Sequence, residues 1–262
     1  DLSKVWTFVD HNREARAPPM KLPKAYRPTG IFFPGLEAKA WWDRRCSSDF
    51  PWLADLEASY PEVLDEMLAL TSHSRGNGFT EGSGEMTSVY GATNGWDTMR
   101  FSRYGQPGID YSLLPRTLTT LEGIPLAPET VAFQRQQPGT GLPAHVDPSN
   151  FVLGCHLGLI IPGHGGRRTQ LREDTQSALD VAGPIGSNGD GKGDAQAWIE
   201  VAGDRRYWEP GKAFVFDPSF VHETFNPCDS ERVILNIDVY HPALTQVERG
   251  AVETVCDLIE QW

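Results

Sequence analysis

The second half of the chain carries the clearer pattern of apolar and polar positions. From about residue 131, short runs rich in β-branched and aromatic residues alternate with turn residues such as Pro-Gly and Asn-Pro. Such runs are typical of strands joined by tight turns. They lie at 131–136, 155–161, 197–201, 212–217 and 233–240. The pattern predicts a mainly-β core of the sandwich or jelly-roll type.

The first half is less regular. Residues 1–30 are polar and proline-rich, which indicates an arm on the surface. Residues 61–71 predict a helix, because Pro61 suits the first turn and apolar residues recur at helical spacing. Residues 74–110 are rich in Gly, Ser, Asn and Thr and are expected to form long loops.

These patterns give a hypothesis for the organisation of the chain. We expect residues 1–262 to form one domain of the mainly-β class with peripheral helices (α+β). In it, residues 1–130 pack as an arm, a helix and loops on a β core at 131–245, and residues 246–262 form a C-terminal helix.

Charge and cysteine content exclude several classes of function. A net charge of −12 argues against a nucleic-acid partner. We find no apolar run long enough to span a membrane and no glycine-rich nucleotide-binding motif. The four cysteines are widely spaced, without zinc-finger spacing, as in reduced cytosolic enzymes. We therefore expect a cytoplasmic protein.

Three histidines lie beside predicted strand ends: His145, His156 and His222. Side chains alternate faces along a strand, so His156 and Gly158 share one face while Leu157 and Leu159 share the other. A polar ring next to a bare glycine indicates the lining of a cavity. The structural alternative is a buried histidine whose hydrogen bonds are satisfied.

His222 and Arg232 extend this interpretation. A turn after a hydrophobic run delivers His222, and ten residues later Arg232 begins another strand. A guanidinium beside a metal-binding histidine suits a carboxylate anchor. Non-haem oxygenases hold iron(II) with two histidines and a carboxylate. The order His, His, Arg fits that pattern, but the expected carboxylate position, two residues after His156, is Gly158.

At these residues the chain resembles the aspartyl/asparaginyl β-hydroxylase family. The resemblance covers about two-thirds of the chain. The segments that carry it are 33–36, 41–42, 138–140, 145–148, 155–159, 208–212, 216–223, 232 and 238–242.

The resemblance implies a double-stranded β-helix core. It also implies oxidative decarboxylation of 2-oxoglutarate with O2, coupled to hydroxylation of an unactivated C–H bond. In the animal members two histidines hold iron(II) and glycine replaces the aspartate, which maps onto His156, Gly158 and His222. Arg232 maps onto the arginine that binds 2-oxoglutarate, and Arg167 or Arg168 would meet its other end.

Two departures from the animal enzymes stand out. First, Asp147 gives His145-x-Asp147 the spacing of a metal-ligand pair. Asp147 either completes the iron site or lines the co-substrate pocket with His145; the similarity around His156 favours the pocket. Second, the interval between His156 and His222 is longer, and residues 169–194 are expected to form a lid.

The leading hypothesis is a 2-oxoglutarate-dependent dioxygenase that oxidises a small amino-acid or peptide-like substrate, by hydroxylation, desaturation or cyclisation, and releases succinate and CO2. One alternative is a hydroxylase of proteins, peptides or lipids. Another, from a different class, is a non-catalytic cupin-like binding protein.

Overall fold

The computed structural model describes residues 3–13, 31–42, 48–73, 79–81, 95–100, 109–162 and 196–260. Within these ranges the strands are β1 Trp41–Trp42, β2 Thr80–Glu81, β3 Trp96–Arg100, β4 Leu126–Gln136, β5 Thr140–His145, β6 Val152–Ile160, β7 Trp198–Val201, β8 Asp204–Tyr207, β9 Ala213–Phe216, β10 His222–Asn226 and β11 Arg232–Tyr240.

The helices in the same ranges are α1 Ser3–Arg13, α2 Leu53–Ala58, α3 Tyr60–His73, α4 Pro115–Glu122 and α5 Gln246–Glu260, with a 3-10 turn at Tyr111–Leu113. None of them is long and apolar enough to cross a membrane.

The strands form two sheets with jelly-roll topology. The larger sheet has the order β1-β9-β6-β11-β4-β3-β2, and the smaller sheet has the order β5-β10-β7-β8. From β4 to β11 the chain passes back and forth between the two sheets, and only β7 and β8 are consecutive strands of one sheet. This is the double-stranded β-helix, so the expected fold class is confirmed.

The larger sheet has two different faces. Its outer face packs against α2, α3 and α4 in an apolar cluster that includes Leu157, Leu159 and Leu235. Its inner face turns toward the smaller sheet and carries His156, which lines a cavity there. The predicted alternation is therefore confirmed for His156, Leu157 and Leu159. It does not extend to the end of the strand, where Ile160 packs with the outer cluster and Ile161 with the inner one, next to a register shift in the pairing of β6 with β11.

The five predicted strand runs coincide with β4, β6, β7, β9 and β11 to within a few residues, and the predicted helix at 61–71 lies within α3. These segments combine an apolar pattern with clear turn signals at their ends.

The structure differs from expectation in the first hundred residues. Where an arm was expected, residues 3–13 form α1, whose fully buried Phe8 stacks on Phe33 with ring centroids 4.9 Å apart. Where loops were expected, residues 96–100 form β3, which extends the larger sheet. Trp96 and Met99 are both buried there because β3 is covered on both faces, which removes the simple alternation of apolar and polar residues.

Gly158 lies where the backbone of β6 meets the turn before β9. Its N–H donates to the carbonyl of Lys212 at 3.0 Å, and its carbonyl accepts from the N–H of Gly211 at 2.9 Å. A Cβ on Gly158 would overlap the carbonyl oxygen of Glu209. The glycine is therefore required by this close backbone approach, and no side chain fits at this position.

Gly158→Ala should lower the free energy of unfolding by about 1–3 kcal/mol, because the added methyl group must displace backbone. The matched control is Gly250→Ala in α5, where a Cβ meets nothing within 4 Å. It should raise stability by about 0.5–1 kcal/mol. Urea unfolding curves measure both changes, and equal effects at the two sites would contradict this account of Gly158.

Candidate metal and co-substrate site

Two histidines lie side by side on neighbouring strands of the smaller sheet. β5 and β10 are antiparallel neighbours, and their register pairs His145 with His222. The centroids of the two imidazole rings are 4.1 Å apart. The turn before His222 is held by Asp217, whose Oδ1 accepts hydrogen bonds from the N–H and the hydroxyl of Ser219. The pairing thus brings together two side chains that are 77 positions apart in the sequence.

Both rings present the same nitrogen to the cavity. Nδ1 of His145 lies 2.7 Å from the carbonyl oxygen of Pro143, and Nδ1 of His222 lies 2.9 Å from that of Phe220. A carbonyl only accepts, so in each neutral ring Nδ1 carries the proton and Nε2 carries the lone pair. Burial lowers the pKa of His222, which favours that neutral form. This is how metal-binding histidines are oriented in proteins.

Asp147 lies beside these two histidines and forms a candidate metal-ligand group with them. Its backbone N–H donates to the carbonyl of Pro218 at 2.8 Å, which ties the end of β5 to the turn before β10. Its Oδ1 lies 3.9 Å from Nε2 of His145. His145, Asp147 and His222 each offer one ligand atom, and these atoms all lie within 4.8 Å of one another. Two imidazoles and one carboxylate are the ligands that suit non-haem iron(II).

His156 is oriented differently and is not part of this group. Its Nδ1 accepts a hydrogen bond from Nε1 of the buried Trp208 at 3.3 Å. An indole only donates, so in the neutral ring the proton is on Nε2. Burial, reinforced by the charge of Arg232, holds the pKa of His156 well below its usual value. His156 therefore presents a hydrogen-bond donor to the cavity instead of a lone pair.

Arg232 lies beside His156 and is almost completely buried. Its Nη2 donates to Oε1 of Gln136 at 3.1 Å, and its guanidinium carbon lies 4.4 Å from the centre of the Trp208 ring. Within the described part of the chain, its Nε and Nη1 are buried without a hydrogen-bond partner. Burial lowers the pKa of the guanidinium to about 9. Two unpaired donors on one planar cation fit a carboxylate.

A polar bridge between the sheets holds Arg232 in place. Gln136, which accepts from Arg232, donates through Nε2 to the hydroxyl of Thr224 at 3.0 Å. The same hydroxyl accepts from the N–H of Leu142 at 3.2 Å. Because Thr224 belongs to β10, the strand that supplies His222, the anchor and the metal group are fixed relative to each other.

One cavity of about 220 Å³ joins the two groups. Besides the histidines, Asp147 and Arg232, it is lined by Trp96, Arg100, Gln134, Thr224, Asn236 and Asp238. The cavity is large enough for a small dicarboxylate and part of a second molecule. It is therefore the place where a metal, a carboxylate ligand and a substrate would meet.

The structure brings together five of the residues singled out in the sequence: His145, Asp147, His156, His222 and Arg232. Arg167 and Arg168 lie outside the described residues, as does the lid expected at 169–194.

Sequence reasoning gave no role to Gln136, Trp208 or Arg100. Trp208 belongs to segment 208–212, one of the segments that resemble the family. Nothing local in the sequence shows, however, that its indole would contact both His156 and Arg232.

Comparison with known proteins gives a family. Residues 57–242 match the profile of the family described as Aspartyl/Asparaginyl beta-hydroxylase. The human protein named aspartyl/asparaginyl beta-hydroxylase is 27% identical over 229 residues, which are 84% of this chain and 25% of that protein. The ornithine lipid ester-linked acyl 2-hydroxylase of Rhizobium tropici is 28% identical over 198 residues, 75% of this chain and 59% of that protein.

The chain thus spans about a quarter of the human relative and less than two thirds of the bacterial one. Among solved structures, a prolyl hydroxylase from Trichoplax adhaerens in complex with a hypoxia inducible factor peptide fragment is 12% identical. It matches with a TM-score of 0.43 over 74% of this chain and 81% of that one.

Arg232→Met should leave the free energy of unfolding of the ligand-free protein unchanged or raise it by about 1–3 kcal/mol, because it removes a buried cation with unpaired donors but keeps much of the volume. Arg135→Met is the comparison, since Arg135 is ion-paired with Asp97 at 2.8 Å. It should lower stability by up to about 1 kcal/mol. Chemical unfolding measures both, and a large loss at Arg232 alone would show that its guanidinium is structural.

Proposed function

This chain belongs to the aspartyl/asparaginyl β-hydroxylase family, and we propose that it is an oxygenase that uses iron(II) and 2-oxoglutarate. The observation that carries the proposal is the cavity itself. It combines three metal-ligand atoms within 4.8 Å of one another with a buried guanidinium that has two unpaired donors. Both features match the needs of this chemistry.

In this proposal the metal ligands are His145, Asp147 and His222. This differs from the set that the resemblance implied, which was His156 and His222 with a glycine at 158. Gly158 is not a vacated ligand position, because the backbone of Glu209 occupies the space of any side chain there. The hydrogen bond from Trp208 takes the Nδ1 lone pair of His156 and leaves its proton on Nε2.

His156 and Arg232 bind the co-substrate. The Nε and Nη1 groups of Arg232 take one carboxylate of 2-oxoglutarate as a fork, and the Nε2–H of His156 donates to an oxygen of the same molecule. Both side chains are oriented by Trp208, one through a hydrogen bond and one through ring stacking. A bound carboxylate would also offset the cost of burying the guanidinium.

Iron(II) bound at this site would supply activation of O2, coupled to decarboxylation of 2-oxoglutarate to succinate and CO2 and to oxidation of a substrate C–H bond. The protein groups bind and orient the reactants. The apolar walls of the cavity, such as Phe216 and Ile199, exclude water from them. The substrate class that suits a cavity of this size and polarity is an amino acid or a small peptide-like molecule.

Single variants separate the two possible ligand sets. His145→Ala, Asp147→Ala and His222→Ala should each lower iron(II) affinity by more than the ~10–100-fold typical of losing an outer partner of a metal site. His156→Ala should retain iron and instead weaken 2-oxoglutarate binding. Anaerobic equilibrium dialysis measures the metal, and the visible charge-transfer band of the iron–2-oxoglutarate complex measures the co-substrate.

The same experiment can contradict the proposal. If His156→Ala loses iron while His145→Ala keeps it, the two-histidine set with His156 is correct. If the wild-type protein binds iron but never forms the band or releases succinate, the oxygenase function is wrong.

A further inference from the structure

Arg100 is a second arginine in the cavity, and the proposed chemistry does not use it. It is the last residue of β3, and its side chain lines the cavity together with Trp96 of the same strand. Its Nε is buried without a hydrogen-bond partner, and no ion pair within the described ranges includes its guanidinium. Withdrawing a charge from water without a partner is unfavourable, so this arginine suits an anion that binds in the cavity.

Arg135 shows how the same two strands treat an arginine on their other face. β3 and β4 are antiparallel neighbours, and their register pairs Asp97 with Arg135 and Arg100 with Ala132. Side chains alternate along a strand, so the first pair lies on the outer face and the second on the inner face. Arg135 is ion-paired with Asp97 at 2.8 Å, whereas Arg100 has only a methyl group opposite it on β4. The arginine outside the cavity is thus neutralised by the protein, and the one inside is left for a ligand.

The strands β3 and β5 place Arg100 level with the proposed metal group. They are tied together at one end, where the hydroxyl of Thr140 donates to the carbonyl of Gly95 at 3.3 Å. From there both run back along β4, because β3 pairs with β4 antiparallel and β5 follows β4 after the turn at 137–139. Five residues beyond the tie, β3 reaches Arg100 and β5 reaches His145. Both residues therefore lie roughly 16 Å along the cavity from the tie.

Arg232 lies nearer the tied end. It pairs with Gln136 of β4, and Gln136 pairs with Trp96 at the start of β3. Arg100 is the fourth residue after Trp96, which is about 13 Å further along the strand, and it is two strands away from Arg232 across the sheet. The Cα atoms of the two arginines are therefore about 16 Å apart. Arg100 thus serves a different anionic group from the carboxylate on Arg232.

We propose that Arg100 selects the substrate and that the substrate is an amino acid or short peptide that presents a free carboxylate to it. The Nε and one Nη of Arg100 bind that carboxylate as a fork. The short side chain of Ala132 leaves room for the bound group between Arg100 and Asn236, which pair with Ala132 from either side. A substrate held there lies at the level of His145 and so beside the proposed metal group. This inference rests on the proposed oxygenase function and assigns the group by which its substrate is recognised.

The test measures succinate release with three kinds of carboxylate probe. These are free L-amino acids, N-acetyl L-amino acids, which mimic a peptide C-terminus, and the α-amides of N-acetyl-aspartate and N-acetyl-glutamate, which keep only the side-chain carboxylate. At least one probe should stimulate succinate release by the wild-type protein, and the same probe with its carboxylate replaced by a carboxamide should not. The kind of probe that works identifies where the substrate carries its carboxylate.

Variants assign this preference to Arg100. Arg100→Gln should raise the KM for the active probe about 10- to 100-fold, the effect of losing a hydrogen bond between charged groups, and should abolish the preference for acid over amide. Its anaerobic iron–2-oxoglutarate band should titrate as in the wild type, which separates lost recognition from a lost fold. Arg100→Lys should restore part of the preference. Arg116→Gln, on the exposed surface of α4, is the matched control and should behave as wild type.

Several results would overturn the proposal while the oxygenase function stands. These are a protein that forms the band but is stimulated by none of the probes, equal stimulation by an acid and its amide, or an Arg100→Gln variant with unchanged KM for the acid. A variant that loses affinity for 2-oxoglutarate instead would assign Arg100 to the co-substrate. Absence of the band in the wild-type protein would overturn both the function and this role of Arg100.

Discussion

The antiparallel register between β5 and β10 is the constraint on which the site depends. It sets His145 opposite His222 and leads the chain directly into Asp147, whose N–H is bound to the carbonyl of Pro218. Because side chains alternate along a strand, a shift of one residue would turn one imidazole away from the cavity. The backbone contacts of both Nδ1 atoms then decide which nitrogen of each neutral ring carries the lone pair. The pairing thus brings the candidate ligand atoms of His145, Asp147 and His222 within 4.8 Å of one another.

The two sheets contribute different residues to the candidate site. The smaller sheet and the turn after β5 supply the candidate metal ligands, whereas the larger sheet supplies His156, Arg232 and Arg100 from its inner face. The link between them is the bridge from Arg232 through Gln136 to Thr224. The helices on the outer face keep the larger sheet rigid by burying its apolar side. A cavity with two histidines and an aspartate on one wall and two arginines on the other follows from this arrangement.

Much of the core could be predicted from the sequence, because strands such as β6, β9 and β11 are apolar and end at clear turns. The sequence did not predict β3 and α1, because the burial of their side chains depends on residues that are distant in the sequence. For the site, the sequence singled out His145, Asp147, His156, His222 and Arg232, and it favoured His156 as a metal ligand where we propose His145 and Asp147. The reason is that Gly158 looks like a missing aspartate, whereas it is required by the carbonyl of Glu209, which only the folded chain brings near.

We propose that His145, Asp147 and His222 hold the metal while Arg232 and His156 hold 2-oxoglutarate. The most direct test is a crystal structure of the protein grown anaerobically with manganese(II), as a redox-stable substitute for iron(II), and 2-oxoglutarate. The account predicts metal bound to Nε2 of both histidines and to the Asp147 carboxylate, with a 2-oxoglutarate carboxylate on Nε and Nη1 of Arg232. Metal bound to His156, or Asp147 turned away from the metal, would contradict it.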